Sequence, residues 1–404
     1  MKYTKEEIMQ FVEEEDVKFI RLAFSDVYGR QKNIAIMPEE LNRAFDYGIA
    51  FDASAILGFG DEVNSDLLLH PDTETIQELS WRPENGKVIR MFSDITLPDG
   101  TPFECDTRRL LKKAISDAAG KGYTFAFGEE QEFYLFKLDD NGERTMIPYD
   151  NAGYMDIAPD DRGENIRREI CLTLEKMGIH PERSHHEEGP GQNEIDFRYS
   201  DALAAADNAL TFQMVVKTIA RRNGLYADFS PKPIKNAPGN GCHINISVQP
   251  SDKFVNLRHV IAGILDKVVD MTMFLNPTKE SYVRFGENKA PKYISWSQEN
   301  RSQLVRIPAA QGEYLRAELR SPDNLANPYI AFTLLIYAGL YGLERKLALP
   351  DPVNLNLFNA DREVTDNLVH LPSSLEEAAE KALASGFIRE HIPEAIIDIY
   401  GRNI

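Results

Sequence analysis

Apolar residues recur every three to four positions in some stretches of the chain and every second position in others. The change of period predicts the elements. Residues 4–14 have helical spacing, with Thr4 as N-cap and Glu6 and Glu7 in the first turn. VKFIRLAFSDVYG, from Val17, alternates apolar and polar and ends in a Tyr-Gly turn, so it predicts a strand. Leu41 to Tyr47 predicts a helix, followed by a strand or loop over Ile49 to Ile56. Trp81 to Ile95 predicts strand, turn and strand around Asn85-Gly86. Pro98-Asp99-Gly100-Thr101-Pro102 is a turn cluster and marks a domain boundary, separating residues 1–103 from 104–404.

Beyond the boundary, Arg108 to Gly120 predicts an amphipathic helix. Strand alternation marks Thr124–Leu138, His185–Phe197, Cys242–Val248 and Arg316–Leu319. Helical spacing marks Asn165–Met177, Ala202–Asn223, Arg258–Leu275, Ala326–Leu347 and Ser374–Gly386. The expected class is α+β. A small N-terminal unit precedes a larger domain with a mostly antiparallel sheet and helices on one side. There is no internal repeat and no low-complexity linker.

Bulk composition narrows the function. At 404 residues, 43% hydrophobic and 27% charged, the chain reads as a soluble globular protein of two to three domains. No apolar run approaches the ~18 to 20 residues that span a bilayer, so no membrane role is expected. The opening MKYTKEEIMQFVEEEDVKF has no apolar core of a secretory signal. Three cysteines, Cys105, Cys171 and Cys242, form no disulfide framework and fit a reducing, cytoplasmic setting. A net charge of −19 argues against nucleic acid. It leaves room for a nucleotide if divalent metals lie between its phosphates and the protein's carboxylates.

Five segments carry chemistry. Glu130 and Glu132 share one strand face, where two carboxylates repel unless a cation lies between them; alone, such a pair reads as a solvated polar face. Glu187 and Glu194 flank a Gly-Pro-Gly turn, so a hairpin brings both to one end of a sheet. After the glycine loop Pro238-Gly239-Asn240-Gly241, His243, Asn245 and Ser247 alternate onto one face. Asn300 to Pro308 contributes Arg301 and Arg306. Arg316, Glu318 and Arg320 share a further strand face, either as a salt-bridge ladder or as a grip on phosphate. Oxygen-rich ligation with one imidazole suits Mg²⁺ or Mn²⁺. With arginines added, the set matches the needs of phosphoryl transfer from ATP.

The order of these segments resembles the type I glutamine synthetases. Phe51-Asp52-Ala53-Ser54-Ala55 with Asn64-Ser65-Asp66 resembles their N-terminal signature, and Lys232 to Ser247 their ATP-region signature. Asn276-Pro277-Thr278, Asn300-Arg301-Ser302, Arg306-Ile307-Pro308 and Glu318 to Asp323 follow in the family's order. The resemblance runs from about Val17 to Tyr400. It implies a small β-grasp domain over 1–103, a large catalytic domain over 104–404, and hexameric rings with active sites between subunits. It implies two or more divalent ions, one held by Glu132, Glu187 and Glu194 and another by Glu130, His243 and Glu318. Glutamate would be held by Gly239, Arg284, Arg301 and Arg320, with Arg301 and Arg320 at the reacting phosphoryl and carboxylate. ATP would meet Glu182, Asn245, Ser247, Arg306 and Arg316. Asp52, from a neighbouring subunit, would take the amine and its proton.

Departures from the pattern gather on the amine side. Lys289 stands where the closing flap carries a Glu, in a shortened Arg284–Pro291 loop, and its cation would repel ammonium; Glu287 is a substitute after a local shift. Ala53 and Ala55 replace the glycine and serine of the Asp-Gly-Ser-Ser run, and Pro238 replaces an asparagine, as in γ-glutamyl-polyamine synthetases. The stretch between Ser247 and Ile261 is short, and the chain stops at Ile404, so weaker stacking of rings into a dodecamer is expected. Phe358 fills the place of a tyrosine adenylylated in some members. The leading reading is ligation of glutamate to ammonia. A γ-glutamyl-amine or polyamine ligase is the second. A catalytically inactive ring-forming homologue is the reading of another class.

Overall fold

The computed structural model describes residues 3–60, 63, 65–81, 86–250, 255–309 and 312–402. Helix α1 (Lys5–Glu14) starts where the capping signal places it. The Thr4 hydroxyl accepts from Glu7 N, and the Glu7 carboxylate accepts from Thr4 N. The strands β1 (Val17–Ser25), β2 (Gln31–Ile36), β3 (Ile49–Asp52), β4 (Asp66–Pro71), β5 (Gln77–Glu78) and β6 (Lys87–Thr96) form the first sheet, with α2 (Leu41–Tyr47) before β3. Its order is β2-β1-β6-β4-β3, with β5 also on β6; β1 and β6 run parallel, and the other pairs are antiparallel. The hairpin expected around Asn85-Gly86 is corrected in part. Trp81 sits in a turn and the antiparallel partner of β6 is β5, because pairing with β6 closes at the Leu79 N–Val88 O bond. Residues 82–85, and Asn64 of the N-terminal signature, lie outside the described residues.

The second sheet is built on β7 (Thr124–Leu138), preceded by α3 (Thr107–Gly120). Next come β8 (Arg144–Pro148), α4 (Glu164–Lys176), β9 (Pro181–His186), β10 (Gln192–Phe197), β11 (Ser200–Asp201), α5 (Ala202–Arg222), β12 (Leu225–Asp228) and β13 (Cys242–Gln249). Helices α6 (Val255–Leu275) and α7 (Lys279–Val283) precede β14 (Trp296–Gln298), β15 (Val305–Ile307) and β16 (Ala317–Leu319), and α8 (Pro328–Arg345) follows. Short helices α9 (Arg362–Thr365), α10 (Leu375–Ala384), α11 (Gly386–His391) and α12 (Glu394–Gly401) complete the chain's described part. The order is β14-β15-β16-β13-β7-β10-β9, antiparallel except for β14 with β15; β8, β11 and β12 also pair along β7.

Alternation along β7 separates two jobs. Phe125, Phe127 and Phe133 point to the helical side, where Phe127 stacks on Phe332 of α8 with ring centroids 4.3 Å apart. Glu130 and Glu132 point to the opposite face. The segment expected to alternate from His185 to Phe197 is a hairpin, because Glu187 to Gly191 form the turn between β9 and β10. One hydrophobic cluster runs from Ile20, Leu22 and Phe24 to Leu111, Phe127 and Phe332, across the 103/104 boundary. A buried ion cluster crosses it too. Arg108 of α3 meets Asp207 of α5 at 2.9 and 3.0 Å, Asp72 at 3.0 Å and Asp94 at 3.2 Å.

Helices α6 and α8 cross with their backbones touching. A Cβ on Gly263 would lie 2.0 Å from Ala338 O, and one on Gly342 would lie 2.0 Å from His259 O. Neither obstacle is a side chain that can swing away. Gly263→Ala is expected to lower stability by about 1–3 kcal/mol, the usual cost of overpacking. Denaturant titration measures it, and an unchanged midpoint contradicts the contact.

Candidate functional site

Strand register assembles the site. On the face away from α8, Glu130 lies opposite His243 on one side and Asp196 on the other, while Glu132 lies opposite Glu194. Glu318 lies opposite Asn245. The outcome is a set of overlapping groups whose ligand atoms lie within 4.8 Å of one another: Glu130 with His243 and Glu318, Glu132 with Glu194 and His243, His185 with Glu187 and Glu194, and Glu130 with Glu194 and Asp196. His243 Nδ1 is 3.4 Å from Glu130 Oε2 and 3.5 Å from Glu318 Oε1. His185 Nε2 is 3.0 Å from Glu187 Oε1 and 3.9 Å from Glu194 Oε1.

These groups floor a cavity of about 610 Å³. Arg284, Arg301, Arg306, Arg316 and Arg320 line it, with Gly239, Pro238, Glu287 and Lys289. Arg320, 2% exposed, donates from Nε to Glu318 Oε1 at 3.1 Å and from Nη1 to Lys289 O at 3.2 Å. It also donates to Arg301 O, and Arg306 donates to the other Glu318 oxygen. Arg316 Nε donates to Asn245 Oδ1 at 2.9 Å, and Asn245 Nδ2 donates to Glu130 Oε1 at 3.0 Å. Gly239 has to be glycine, because a Cβ there would lie 2.4 Å from Pro231 O and 2.7 Å from Arg284 Cγ. Gly241 N and Gln192 Nε2 both donate to Glu132 Oε2, at 2.9 and 3.1 Å.

The carboxylates are not balanced by these donors. Burial, then the charges of Asp196, Glu132 and Glu130, push Glu194 well above the usual carboxylate range. Burial and Glu130 raise Asp196 to about 6, against the pull of Arg183 at 2.5 Å. Burial raises Glu132, with His243 opposing and Glu187 adding. Burial works against Glu130 as well, but hydrogen bonds and charge from His243 and Asn245 hold it low. Two like charges ~4 Å apart repel by about 4 kcal/mol at an effective dielectric of ~20. A hard divalent cation fits this donor set of carboxylate oxygens with the imidazoles of His243 and His185.

Lys289 has a partner in the chain. Its ammonium pairs with Glu188 and lies 5.3 Å from the Tyr154 ring centroid. Glu287 Oε2 lies 3.4 Å from Lys232 Nζ on the other wall. Lys289, expected from the sequence to repel ammonium, is thus ion-paired at the flap.

The residues singled out from the sequence are not all gathered. Glu318 lies fully buried beneath the cavity floor, and Asn245 is buried beside it. Glu182, which pairs with Arg198 at 3.7 Å, and Ser247 do not line the cavity. Asp52 is exposed at the end of β3, held below the usual carboxylate range by hydrogen bonds from Ser54, and stands outside this chain's own cavity with Ala55. Sequence reasoning missed Asp196, His185, Arg183 and Tyr154. Asp196 follows Glu194 at strand spacing, and His185 lies two residues before Glu187, on the same strand side. Tyr154 carries no sequence signal.

The raised carboxyls set a pH dependence. Glu132, Glu194 and Asp196 keep protons in the folded chain that the unfolded chain has lost, so folding takes up protons and stability falls as pH rises through the raised values. Glu130 has the opposite sign, but its loss falls below the ordinary carboxylate range. Without divalent ions, the melting temperature is expected to fall as pH rises from the ordinary carboxylate range through about 6, and saturating Mn²⁺ is expected to flatten that slope. A metal-free melting temperature that rises over the same window contradicts the assignment.

Comparison with known proteins agrees across the whole length. Residues 16–98 match the glutamine synthetase beta-Grasp domain, and residues 104–403 match the glutamine synthetase catalytic domain. The chain is 45% identical to a glutamine synthetase of Clostridium saccharobutylicum, covering 97% of this chain and 93% of that one. It is 43% identical to a glutamine synthetase of Methanosarcina mazei, covering 98% and 92%. Among solved structures it superposes on GmaS in complex with ADP at a TM-score of 0.88 and 27% identity, covering 98% and 94%. A Plasmodium falciparum glutamine synthetase at TM-score 0.87 and 22% identity, covering 100% and 96%, shares the fold. A chain matched from Asp16 to Asn403 by the two domain models of one family belongs to that family, the glutamine synthetases.

Proposed function

We propose that the chain joins glutamate to ammonia at the expense of ATP. The observation that carries this reading is the convergence of Glu130, Glu132, Glu187, Glu194 and His243 on one cavity lined by five arginines, with Glu318 buried beside Glu130 and His243 beneath its floor. Glu130, His243 and Glu318 would hold one divalent ion, and Glu132, Glu187 and Glu194 another, with His185 and Asp196 alongside. Bound Mg²⁺ or Mn²⁺ would neutralise the terminal phosphates of ATP. A carboxylate is a poor acyl donor, so glutamate is first phosphorylated on its γ-carboxylate, and the amine then displaces phosphate. Arg306 and Arg316 face the polyphosphate. Arg301 and Arg320 stabilise the phosphoryl group in flight and the reacting carboxylate. Arg284 and Gly239 seat glutamate. Glu182, Asn245 and Ser247 are assigned to ATP on the resemblance alone.

Asp52 is exposed, and that suits a carboxylate offered to the next subunit's site. There it would bind the amine's cation and take its proton. The assembly proposed is a hexameric ring, with a dodecamer as its stacked form, acting in the cytoplasm. No described helix is long and apolar enough to cross a membrane. The Lys289–Glu188 pair neutralises the flap cation, which therefore does not stand against binding of an ammonium ion.

ADP formation is expected to require a divalent ion, glutamate and an amine together, with ammonia preferred over alkylamines and polyamines in a steady-state panel. Preference for an alkylamine would transfer the assignment to the γ-glutamyl-amine ligases. Glu130→Gln is expected to lower kcat roughly 100-fold or more, as loss of a charge-stabilising group does. Glu188→Gln strands the Lys289 cation and is expected to raise KM for ammonium about two- to fivefold, equivalent to ~0.4–1 kcal/mol, leaving KM for ATP unchanged. An equal rise in both would mean that Glu188 acts on general folding of the site.

A further inference from the structure

Another group of acids and an imidazole lies outside the lining of the catalytic cavity. Asp150, Asp161 and His186 bring ligand atoms within 4.8 Å of one another, and none of the three lines the cavity. The group is closed to a cation. Arg167 donates to both oxygens of Asp161, at 3.2 and 2.5 Å, and Gly163 N adds a bond at 2.9 Å. Both nitrogens of His186 are engaged, Nδ1 with Glu187 O at 2.6 Å and Nε2 with Asp150 Oδ1 at 2.8 Å. A carbonyl and a carboxylate only accept, so both ring nitrogens donate.

What these bonds hold is the turn between β9 and β10. His186 is the last residue of β9, and Gly191 stands immediately before β10. Asp150 Oδ1 accepts from His186 at one end of the turn and from Gly191 N, at 3.0 Å, at the other. Its Oδ2 accepts from Arg162 N at 3.0 Å, so the carboxylate cannot swing. One oxygen thus spans the mouth of the turn. Beneath it, Gly191 O accepts from Leu135 N of β7 at 2.8 Å, and a Cβ on Gly189 would lie 1.9 Å from Tyr134 Oη. Glu187 is the first residue of this turn. Its carbonyl is held by His186, and its Oε2 accepts from Glu188 N at 3.0 Å, so the carboxylate follows the turn's backbone. His186 is fully buried and Asp150 is 9% exposed, so water does not compete for their bond.

We propose that Asp150 and His186 are positioning residues that set the cation affinity of the site formed by Glu132, Glu187 and Glu194, by fixing the backbone from which Glu187 projects. The proposal rests on the reading of Glu187 as a metal ligand. Partners that hold a ligand in place behind a metal typically carry about 10–100-fold of the affinity. Glu130, His243 and Glu318 stand on β7, β13 and β16, away from the turn, so their site is expected to be indifferent to the pair.

Mn²⁺ titration of the full-length protein, read by the paramagnetic resonance of free Mn²⁺, tests it. Glu187→Gln identifies the class of site that Glu187 serves. Asp150→Asn keeps the side chain's volume and should weaken that same class about tenfold, leaving the other class unchanged. His186→Leu should do the same by an independent route. In the Glu187→Gln background, Asp150→Asn should add nothing, because its effect passes through Glu187. Equal weakening of both classes, or a further tenfold loss in the double variant, overturns the proposal and leaves a purely structural pair. Unchanged Mn²⁺ affinity in Asp150→Asn or in His186→Leu overturns it too. If Glu187→Gln itself leaves Mn²⁺ binding untouched, the metal reading of Glu187 fails, and the proposal falls with it.

Discussion

The site depends on one constraint: acidic side chains packed on one face of a sheet repel each other, and burial removes the water that would screen them. Register makes the crowding unavoidable. Once β7 pairs with β10 and β13, Glu130 stands between Asp196 and His243, and Glu132 stands beside Glu194. Arginines relieve the far side most, where Arg306 and Arg320 share Glu318. Arg183 reaches Asp196, but Glu132 and Glu194 are left to protons or cations. A site that needs positive charge to be content is already organised for the charge it will take up. That preorganisation is the main way electrostatics accelerate phosphoryl transfer.

Holding such strands together requires a rigid back. The other face of β7 supplies it with phenylalanines packed on α8, whose backbone touches α6 at Gly263 and Gly342. The buried cluster of Arg108 with Asp207, Asp72 and Asp94 ties the first sheet to the helices of the second. Removing one partner from such a cluster leaves a charge in the interior, a far larger loss than that of a surface pair. The two parts of the chain thus share one core, so β3 and Asp52 are held in a fixed place relative to the catalytic sheet. An acid presented outward on a rigid strand can serve a neighbour only if that place does not wander.

Much of this was legible in the sequence because alternation is local. The period of two puts Glu130 with Glu132 and His243 with Asn245, whatever the rest of the chain does. Helix starts were legible for the same reason, as with Thr4 and its capping box. Cross-strand partners were not, since register is fixed between segments far apart in the chain. Glu187 and Glu194 needed a hairpin to meet, and Asp196 needed β7 beside it to join the cluster. Trp81 looked like strand from its neighbours, but β6 takes β5 as its partner instead. The partner of Lys289 was invisible, because Glu188 lies on a turn a hundred residues away and Tyr154 on a loop.

That pair shows how the same charges behave differently at the rim and on the floor. Lys289 and Glu188 are 49% and 35% exposed at the side chain, and Glu287, which reaches Lys232, is 61% exposed. An exposed pair such as Lys289–Glu188 is worth ~0.2–1 kcal/mol, so it holds the loop only weakly. On the floor, the buried carboxylates have no comparable freedom, and their charge can be relieved only by what enters. The division follows from solvent alone: ion pairs at the mouth are screened and weak, whereas the buried carboxylates beneath stay unbalanced until positive charge arrives.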